Sequence, residues 1–322
     1  MSIICLVAIL HLCDIFAVHH RFWVGVAWII HPVVWVNSTC TIDYLWAVAF
    51  LLVGVILLLH NKIWWGALVL GLSIGIRLSS FMAVGGLLVL AAIKLPQPKV
   101  KIIACGVLAG AVGAACYLPV YLYSHQSFHF LGYTFGNPAQ WTPYLRLGRF
   151  VYKNIYFWGL AGTSMLGVIA AVLLINWKKI PLHRYLPLLG VTGMLAVGYE
   201  LLLFRYPFEN EYLLSMLPFV LLSLGVLLAR FKRLLIAFVI VLAAYNFVSI
   251  NIAKPDEAFN ATSASYGLWL EKGYLLSDAE LRLKLGPARN ILDWQEYMDW
   301  KGERRSWREN MELYNQPAEN YD

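Results

Sequence analysis

Acidic side chains are rare in the first 253 residues of this chain, and their positions suggest chemistry. Only five of the eighteen Asp and Glu residues lie there, in a chain that is 60% hydrophobic. They are Asp14, Asp43, Glu200, Glu209 and Glu211. An ionisable group close to lipid is costly enough to be treated first as a functional-site hypothesis. Four of the five, all except Asp14, are expected near one face of a membrane, which predicts a polar site at that face.

Asp43 follows the polar turn Asn37-Ser-Thr-Cys-Thr-Ile and stands where the apolar run from Tyr44 begins. Two interpretations are open. An Asp at this point can cap a helix by accepting hydrogen bonds from free backbone N–H groups, which needs no reaction. A carboxylate at this face of the membrane can also belong to a functional site.

Arg77 interrupts about thirty apolar residues and is expected at the outer end of a helical hairpin. A guanidinium there suits phosphate or carboxylate, because its planar fork donates two parallel hydrogen bonds. The alternative is an arginine that extends to lipid headgroups. Gly71 and Gly75, four residues apart on the preceding helix, predict close helix packing.

Two acids and a base lie within seven residues at a second expected helix junction. Arg205, Glu209 and Glu211 precede Tyr212 there. These side chains are candidates to bind a metal or the hydroxyls of a sugar. A salt-bridged turn is the commoner outcome for a short charged loop, and this alternative stays open.

A long outer segment, residues 123–155, combines aromatic and basic side chains, with Trp141 and Arg146 as the candidate substrate-binding residues. Ring faces stack on sugars and cations hold phosphate, so this composition fits a sugar-phosphate or lipid-headgroup surface. His125 and His129 can share a metal if the segment is helical. A loop at headgroup level is the preferred interpretation.

The elements that must position these residues are apolar helices. A mean hydropathy of +0.66 with 13% charged residues is not a soluble composition and predicts an all-α, polytopic membrane protein. Several of its ten apolar runs are shorter than the roughly 20 residues of a perpendicular span. Pro32 is expected to kink or break the second run. The runs cover about residues 3–18, 22–36, 45–60, 63–76, 78–93, 102–122, 156–176, 185–203, 212–229 and 234–250.

Lys and Arg predict the orientation, because cytoplasmic connections carry an excess of both. Eleven lie in one alternating set of connections: Arg21, Lys62, Lys94, Lys99, Lys101, Lys178, Lys179, Arg184, Arg230, Lys232 and Arg233. Five lie in the other: Arg77, Arg146, Arg149, Lys153 and Arg205. The first set is therefore expected in the cytoplasm, which makes the first run travel inward. This predicts that a preceding helix and its outer loop are missing from the chain.

The chain divides by composition into a membrane domain, residues 1–253, and a soluble or interfacial tail, residues 254–322. In the tail, Ser277-Asp-Ala-Glu280 predicts the start of a short helix, and the spacing of Ile291, Trp294 and Met298 predicts a second. We expect this small helical tail on the outer face. The net charge of +7 follows the inside-positive pattern, so no nucleic-acid partner is expected. The five cysteines indicate no disulfide framework.

Three segments together resemble the GT-C superfamily of integral-membrane glycosyltransferases, which use a polyprenyl-phosphate-linked sugar as donor. They are Thr41-Ile-Asp43-Tyr-Leu-Trp, the Gly71 to Arg77 hairpin, and the Arg205 to Pro218 entry to a late helix. The resemblance covers about residues 3–250. It implies that Asp43 is an auxiliary acid, which helps to arrange the site or to bind a divalent metal with Glu211 as the expected second ligand. It also implies donor-phosphate binding by Arg77 and Arg205.

The same resemblance places the main catalytic acid in a first outer loop. We expect this chain to begin after that loop, so no residue here takes that role by match. The expected function is sugar transfer from a lipid phosphate to an acceptor at the non-cytoplasmic face of a bacterial inner membrane, or an inactive fragment of such an enzyme. A transporter or flippase of a lipid-linked or anionic substrate, and a non-catalytic assembly subunit, are the alternatives.

Overall fold

The computed structural model describes residues 1–39, 43–123, 143–180, 182–206 and 210–247. Every regular element in these ranges is helical, as predicted. The α-helices are α1 (Ser2–Ile15), α2 (Arg21–Ile30), α3 (Pro32–Thr39), α4 (Tyr44–Leu59), α5 (Ile63–Ile76), α6 (Ser80–Lys94), α7 (Lys99–Tyr123), α8 (Pro143–Trp158), α9 (Leu160–Ile175), α10 (Leu182–Arg205), α11 (Leu217–Leu227) and α12 (Lys232–Phe247). Short 3-10 helices cover Trp177–Lys179 and Asn210–Ser215.

The chain forms two compact units, Met1–Asn246 and Phe247–Asp322. The two helices that the sequence predicts within residues 254–322 lie outside the described residues. The first unit contains the apolar helices and all the contacts that follow.

Helix length supports fewer membrane crossings than the ten apolar runs suggest. Within the described residues, α7 and the Tyr185–Arg205 part of α10 are long and apolar enough to cross a membrane. A third crossing is possible if α8 and α9, which are bent at a break, count as one. The other apolar helices among the described residues have 10–17 residues, which is fewer than the roughly 20 that a perpendicular span needs.

Two of the short helices result from identifiable breaks. α2 ends at Ile30, and His31 is extended with φ −63° and ψ 126°, because a residue before proline avoids the helical region. Pro32 then begins α3, where its missing N–H costs nothing. The predicted break at Pro32 is confirmed. The second break is Gly159, whose φ of 74° suits a residue without a Cβ.

The expectation of a loop through residue 155 is wrong for residues 143–155, which belong to α8. The segment has the 3.6-residue amphipathic periodicity of a helix, but its many bases and aromatic rings suggested a headgroup-level loop. Trp141, His125 and His129, from the same predicted loop, lie outside the described residues.

One end of the bundle brings together the start of α4 and the turn between α5 and α6. The Cys5 thiol at the start of α1 lies 3.7 Å from the Leu45 carbonyl oxygen. The Tyr199 hydroxyl, near the end of α10, donates to the Ser79 carbonyl at 3.0 Å. We call this the Asp43 end.

The opposite end carries the connections that the sequence predicts to be rich in bases. Arg21 pairs with Asp14 at 2.5 Å, and the Gln97 amide donates to Asn61 Oδ1 at 2.9 Å. The connections that carry Arg21, Lys62 and Lys94 thus lie at the end opposite the Asp43 end. Which end faces the cytoplasm stays a prediction.

A seam of glycines lets α5 and α7 approach closely. A Cβ on Gly71 would lie 2.6 Å from Val112 Cβ, and one on Gly75 would lie 2.5 Å from the Cys116 sulfur. A Cβ on Gly113, from the other side, would lie 2.6 Å from Ile74 Cγ2. The predicted close packing at Gly71 and Gly75 is confirmed. Small residues serve this purpose in apolar surroundings, where backbone proximity rather than burial from water holds helices together.

Replacing Gly71 with Ala is expected to destabilise the protein by about 1–3 kcal/mol, because the new methyl group would clash with the Ala109 carbonyl oxygen as well as Val112. Gly110→Ala on α7 is the matched control, since nothing lies within 4 Å of the position of its Cβ. The control should be neutral or slightly stabilising, given the helix propensity of alanine. Thermal unfolding in detergent, followed by circular dichroism, measures both. Equal midpoints would contradict the seam.

Candidate functional site

Arg77 occupies the turn between α5 and α6 because the helix ends just before it. Its backbone is extended, with φ −142° and ψ 119°, and its N–H donates to the Ser73 carbonyl at 3.0 Å. The Ser73 hydroxyl donates in turn to the Ala47 carbonyl on α4 at 2.8 Å. This bond fixes α5 against α4, so that Arg77 lies beside Asp43, the residue that precedes α4.

The Arg77 guanidinium is held by two neighbouring residues. Its Nη1 donates to Asp43 Oδ1 at 2.6 Å, and its Nη2 donates to the Tyr44 hydroxyl at 2.6 Å. Its Cζ lies 3.4 Å from the centre of the Tyr44 ring, within the range of a cation–π contact. The Arg77 side chain is 19% exposed and that of Asp43 46%. We call Asp43, Tyr44 and Arg77 the Arg77 cluster.

The geometry bears on the capping interpretation of Asp43 that the sequence left open. Asp43 makes no side-chain capping bond to α4, so the capping interpretation does not account for its carboxylate, which turns toward Arg77 instead. Arg77 binds protein groups rather than simply extending into a headgroup layer. The ion pair is half open to solvent on the Asp43 side, so that a ligand can approach the carboxylate.

Two phenols from other helices support the backbone on either side of Arg77. The Tyr117 hydroxyl on α7 donates to the Ile74 carbonyl at 3.1 Å. Tyr199, buried on α10, donates to the Ser79 carbonyl at 3.0 Å and also interacts with the Ser215 side chain. Both ends of the residue 74–79 segment are therefore hydrogen-bonded to neighbouring helices. The backbone that carries the guanidinium is held in place on both sides.

A second polar contact at this end joins α8 to α10. The Asn154 amide donates to Glu200 Oε2 at 2.9 Å. One turn away along each helix, the Phe150 and Phe204 rings meet edge to face at 5.6 Å. The sequence marked Glu200 as an outer-face acid but did not single it out as a site residue, and Asn154 was missed. An acid inside an apolar helix is the signal that identifies Glu200.

The remaining predicted site residues are dispersed at the same end. Arg205 is exposed at the end of α10, with its Cζ 5.5 Å from the Tyr206 ring centre. Glu211 is half-buried and Tyr212 buried on the 3-10 helix that packs against α4. Arg146 is half-buried on α8.

The structure does not join all of these side chains into one constellation. Within the described ranges, neither a hydrogen bond nor an ion pair connects Glu211 or Arg205 with Asp43, or the two with each other. Glu209 and Trp141 lie outside those ranges. Of the predicted site residues that the structure describes, Asp43 and Arg77 are joined by a hydrogen-bonded ion pair.

A divalent metal at Asp43 and Glu211 remains a prediction. The described residues contain no group of three or more His, Cys, Asp or Glu side chains that could hold a metal ion. One carboxylate oxygen of Asp43 is already bound by Arg77.

Buried polar atoms that the sequence did not reveal lie near the same end. Asn37 and Asn210 are each 2% exposed. Among the described residues, no partner is found for Asn37 Oδ1 or Asn210 Nδ2. The helices that carry them, α3 and Asn210–Ser215, pack together. A buried polar atom without a partner costs about 1–3 kcal/mol, so a bound water or ligand hydroxyl would be stabilised here.

No family model, curated protein or solved structure matches this chain. The resemblance to GT-C glycosyltransferases therefore rests on the three sequence segments that carry it.

The Arg77 cluster predicts a measurable coupling between its two charges. In a double-mutant cycle of Asp43→Asn and Arg77→Gln, we expect a coupling of about 0.5–1 kcal/mol, since the carboxylate is nearly half exposed. The same cycle for Asp14 and Arg21, which are 54% and 60% exposed, is the control and should give less. Denaturant unfolding in detergent supplies the four stabilities of each cycle. Strictly additive effects at Asp43 and Arg77 would count against the cluster.

Tyr199→Phe tests the support of the turn. Loss of the hydrogen bond to Ser79 should cost about 1 kcal/mol, because the phenol is buried and the carbonyl is left without this donor. Tyr144→Phe removes the same atom from a side chain that is 85% exposed and should change nothing. Thermal midpoints of the two variants give the comparison, and a larger loss for Tyr144→Phe would refute the assignment.

Proposed function

We propose that this chain is the membrane part of a glycosyltransferase that moves a sugar from a lipid-phosphate donor to an acceptor at the Asp43 end. The observation that carries the proposal is the Arg77 cluster, a fixed guanidinium at the end of an apolar hairpin. A phosphate attached to a lipid lies at headgroup depth, where such a guanidinium can reach it. Its rigid fork suits phosphate better than a flexible ammonium would.

In the proposed reaction the bond between the sugar's anomeric carbon and the phosphate oxygen breaks, and the phosphate leaves with the electron pair. The acceptor hydroxyl forms the new bond to that carbon and gives its proton to a carboxylate acting as general base. Arg77 and Arg205 stabilise the departing phosphate by charge, and a divalent metal could share this task. Asp43 positions Arg77. No residue described here is assigned as the base.

The neighbouring polar groups favour a hydroxyl-bearing ligand. The buried amides Asn37 and Asn210 offer an acceptor and a donor, and the Asn154–Glu200 pair adds a carboxylate. Sugars present hydroxyls that both donate and accept. Trp141, Arg146, Glu209, Glu211 and Tyr212 keep their proposed substrate-binding roles.

We take the chain to lie in a bacterial inner membrane with the Asp43 end outward and about ten apolar segments crossing or entering the bilayer.

A transporter or flippase is the second hypothesis for the function. It predicts ionisable groups near the bilayer midplane. Outside α8, the Asp, Glu, Lys and Arg side chains of the described helices lie within six residues of a helix end, which favours chemistry at a surface. A non-catalytic assembly subunit would bind the donor without transferring its sugar.

Binding of a polyprenyl-phosphate sugar to the protein in liposomes tests the phosphate role. Arg77→Ala should weaken binding about tenfold or more, since a charged hydrogen bond contributes roughly 1.5–3 kcal/mol. Asp43→Asn should weaken it less, because the guanidinium keeps its charge and its Tyr44 contact. Arg21→Ala, which breaks the ion pair at the opposite end, is the matched control and should bind normally. Unchanged binding by Arg77→Ala would refute the assignment.

Sugar release and counterflow then separate the candidate functions. Acceptor-dependent release of the lipid phosphate supports transfer, and its loss in Arg77→Ala supports the site. Counterflow of the donor between liposome faces, without release of the lipid phosphate, would show a transporter instead of an enzyme. Binding with neither activity would replace it by an assembly subunit.

A further inference from the structure

We infer that α8 lies in the plane of the membrane interface, with one apolar edge inserted among the lipids at the Asp43 end. This inference rests on the membrane placement in the proposed function and is independent of the transfer reaction. The helix was not expected from the sequence, and the site does not use its outer edge.

The exposed edge of α8 is apolar and aromatic. Tyr144, Leu147 and Val151 follow one another at helical spacing and are 85%, 50% and 46% exposed. Three exposed apolar side chains in a row on one helix edge mark a contact surface rather than a water-facing one.

Two bases of the helix lie away from this edge. Arg146 and Lys153 are seven residues apart, which places them on the same face, and both are half-buried. Asn154 and Phe150 meet α10. The helix is therefore tied to the bundle by one side, while the apolar edge points outward. Basic and apolar faces on one helix are typical of helices that lie in a bilayer interface.

The direction of α8 identifies lipid as the occupant of its edge. The Arg146–Ile155 part of α8 and Leu160–Ile175 (α9) make an angle of 86° across the break at Gly159. If α9 runs across the bilayer, α8 must run along its surface. α9 exposes apolar side chains along its length, with Leu160 at 68%, Val168 at 50% and Ile175 at 81%. The same lipid phase that covers Leu160 can then cover the adjoining edge of α8.

Quenching by lipid bromines tests this placement. A fluorescent amino acid replaces Tyr144, Leu147, Lys153 or Val168, one at a time, in the whole chain in vesicles of brominated phosphatidylcholine. We expect bromines just below the headgroups to remove about half of the emission at positions 144 and 147, because such an edge inserts roughly 5–10 Å. The emission at position 153 should fall clearly less than at positions 144 and 147. Two positions on the edge guard against one variant failing to fold.

Each outcome decides the inference. In one outcome, bromine quenches position 168 but not positions 144 and 147, and iodide in the water quenches 144 and 147. That result would overturn the inference while leaving the membrane placement intact. Protection of 144 and 147 from both bromine and iodide would mean that a second copy or another segment of the chain covers the edge, and would also overturn it. No quenching at Val168 would remove α9 from lipid and the membrane placement with it.

Discussion

The position of a single guanidinium governs the organisation of the Asp43 end. Arg77 interrupts an apolar hairpin, and a charge beside apolar helices must be paired or solvated, because electrostatic energies grow as the local dielectric falls. Asp43 and Tyr44 meet this need together, one by charge and one by a hydrogen bond and a ring face. Since both residues stand at the start of α4, the same contacts fix where α4 begins relative to the α5–α6 turn.

The glycine seam is what allows that arrangement to be rigid. Gly71 and Gly75 let α5 lie against α7 with almost no space between the backbones. This proximity brings the Tyr117 hydroxyl to the Ile74 carbonyl, three residues before Arg77. The end of α5 therefore carries three features in succession: the close packing against α7, the hydrogen bond from the Tyr117 phenol, and the Arg77 guanidinium. If an added methyl group at the seam pushed α5 away from α7, Arg77 would move with α5.

Local properties were predictable from the sequence and distant ones were not. The apolar runs and the break at Pro32 follow from hydropathy and backbone chemistry within a few residues, so helix positions agree closely with them. α8 was missed because its bases and rings were weighed as composition rather than by their spacing. Asp43 and Arg77 are 34 residues apart, and Tyr199 and Ser79 are 120 apart. Charge complementarity hinted at the first contact, while nothing in either sequence segment pointed to the second.

The distribution of charge in the described helices suits the proposed transfer at a lipid surface better than it suits movement of a charged lipid through the bilayer. A lipid-linked phosphate keeps its charge at headgroup depth and its tail among the acyl chains. Arg77, Arg205 and Arg146 lie at helix ends or on α8, where they can meet that charge without carrying it past an apolar helix interior. Transport would require the phosphate to pass those interiors, at a cost that paired charges near the midplane normally offset. The helices α4, α5 and α9 offer no Asp, Glu, Lys or Arg along their described length, so a surface reaction demands less of this chain than translocation does.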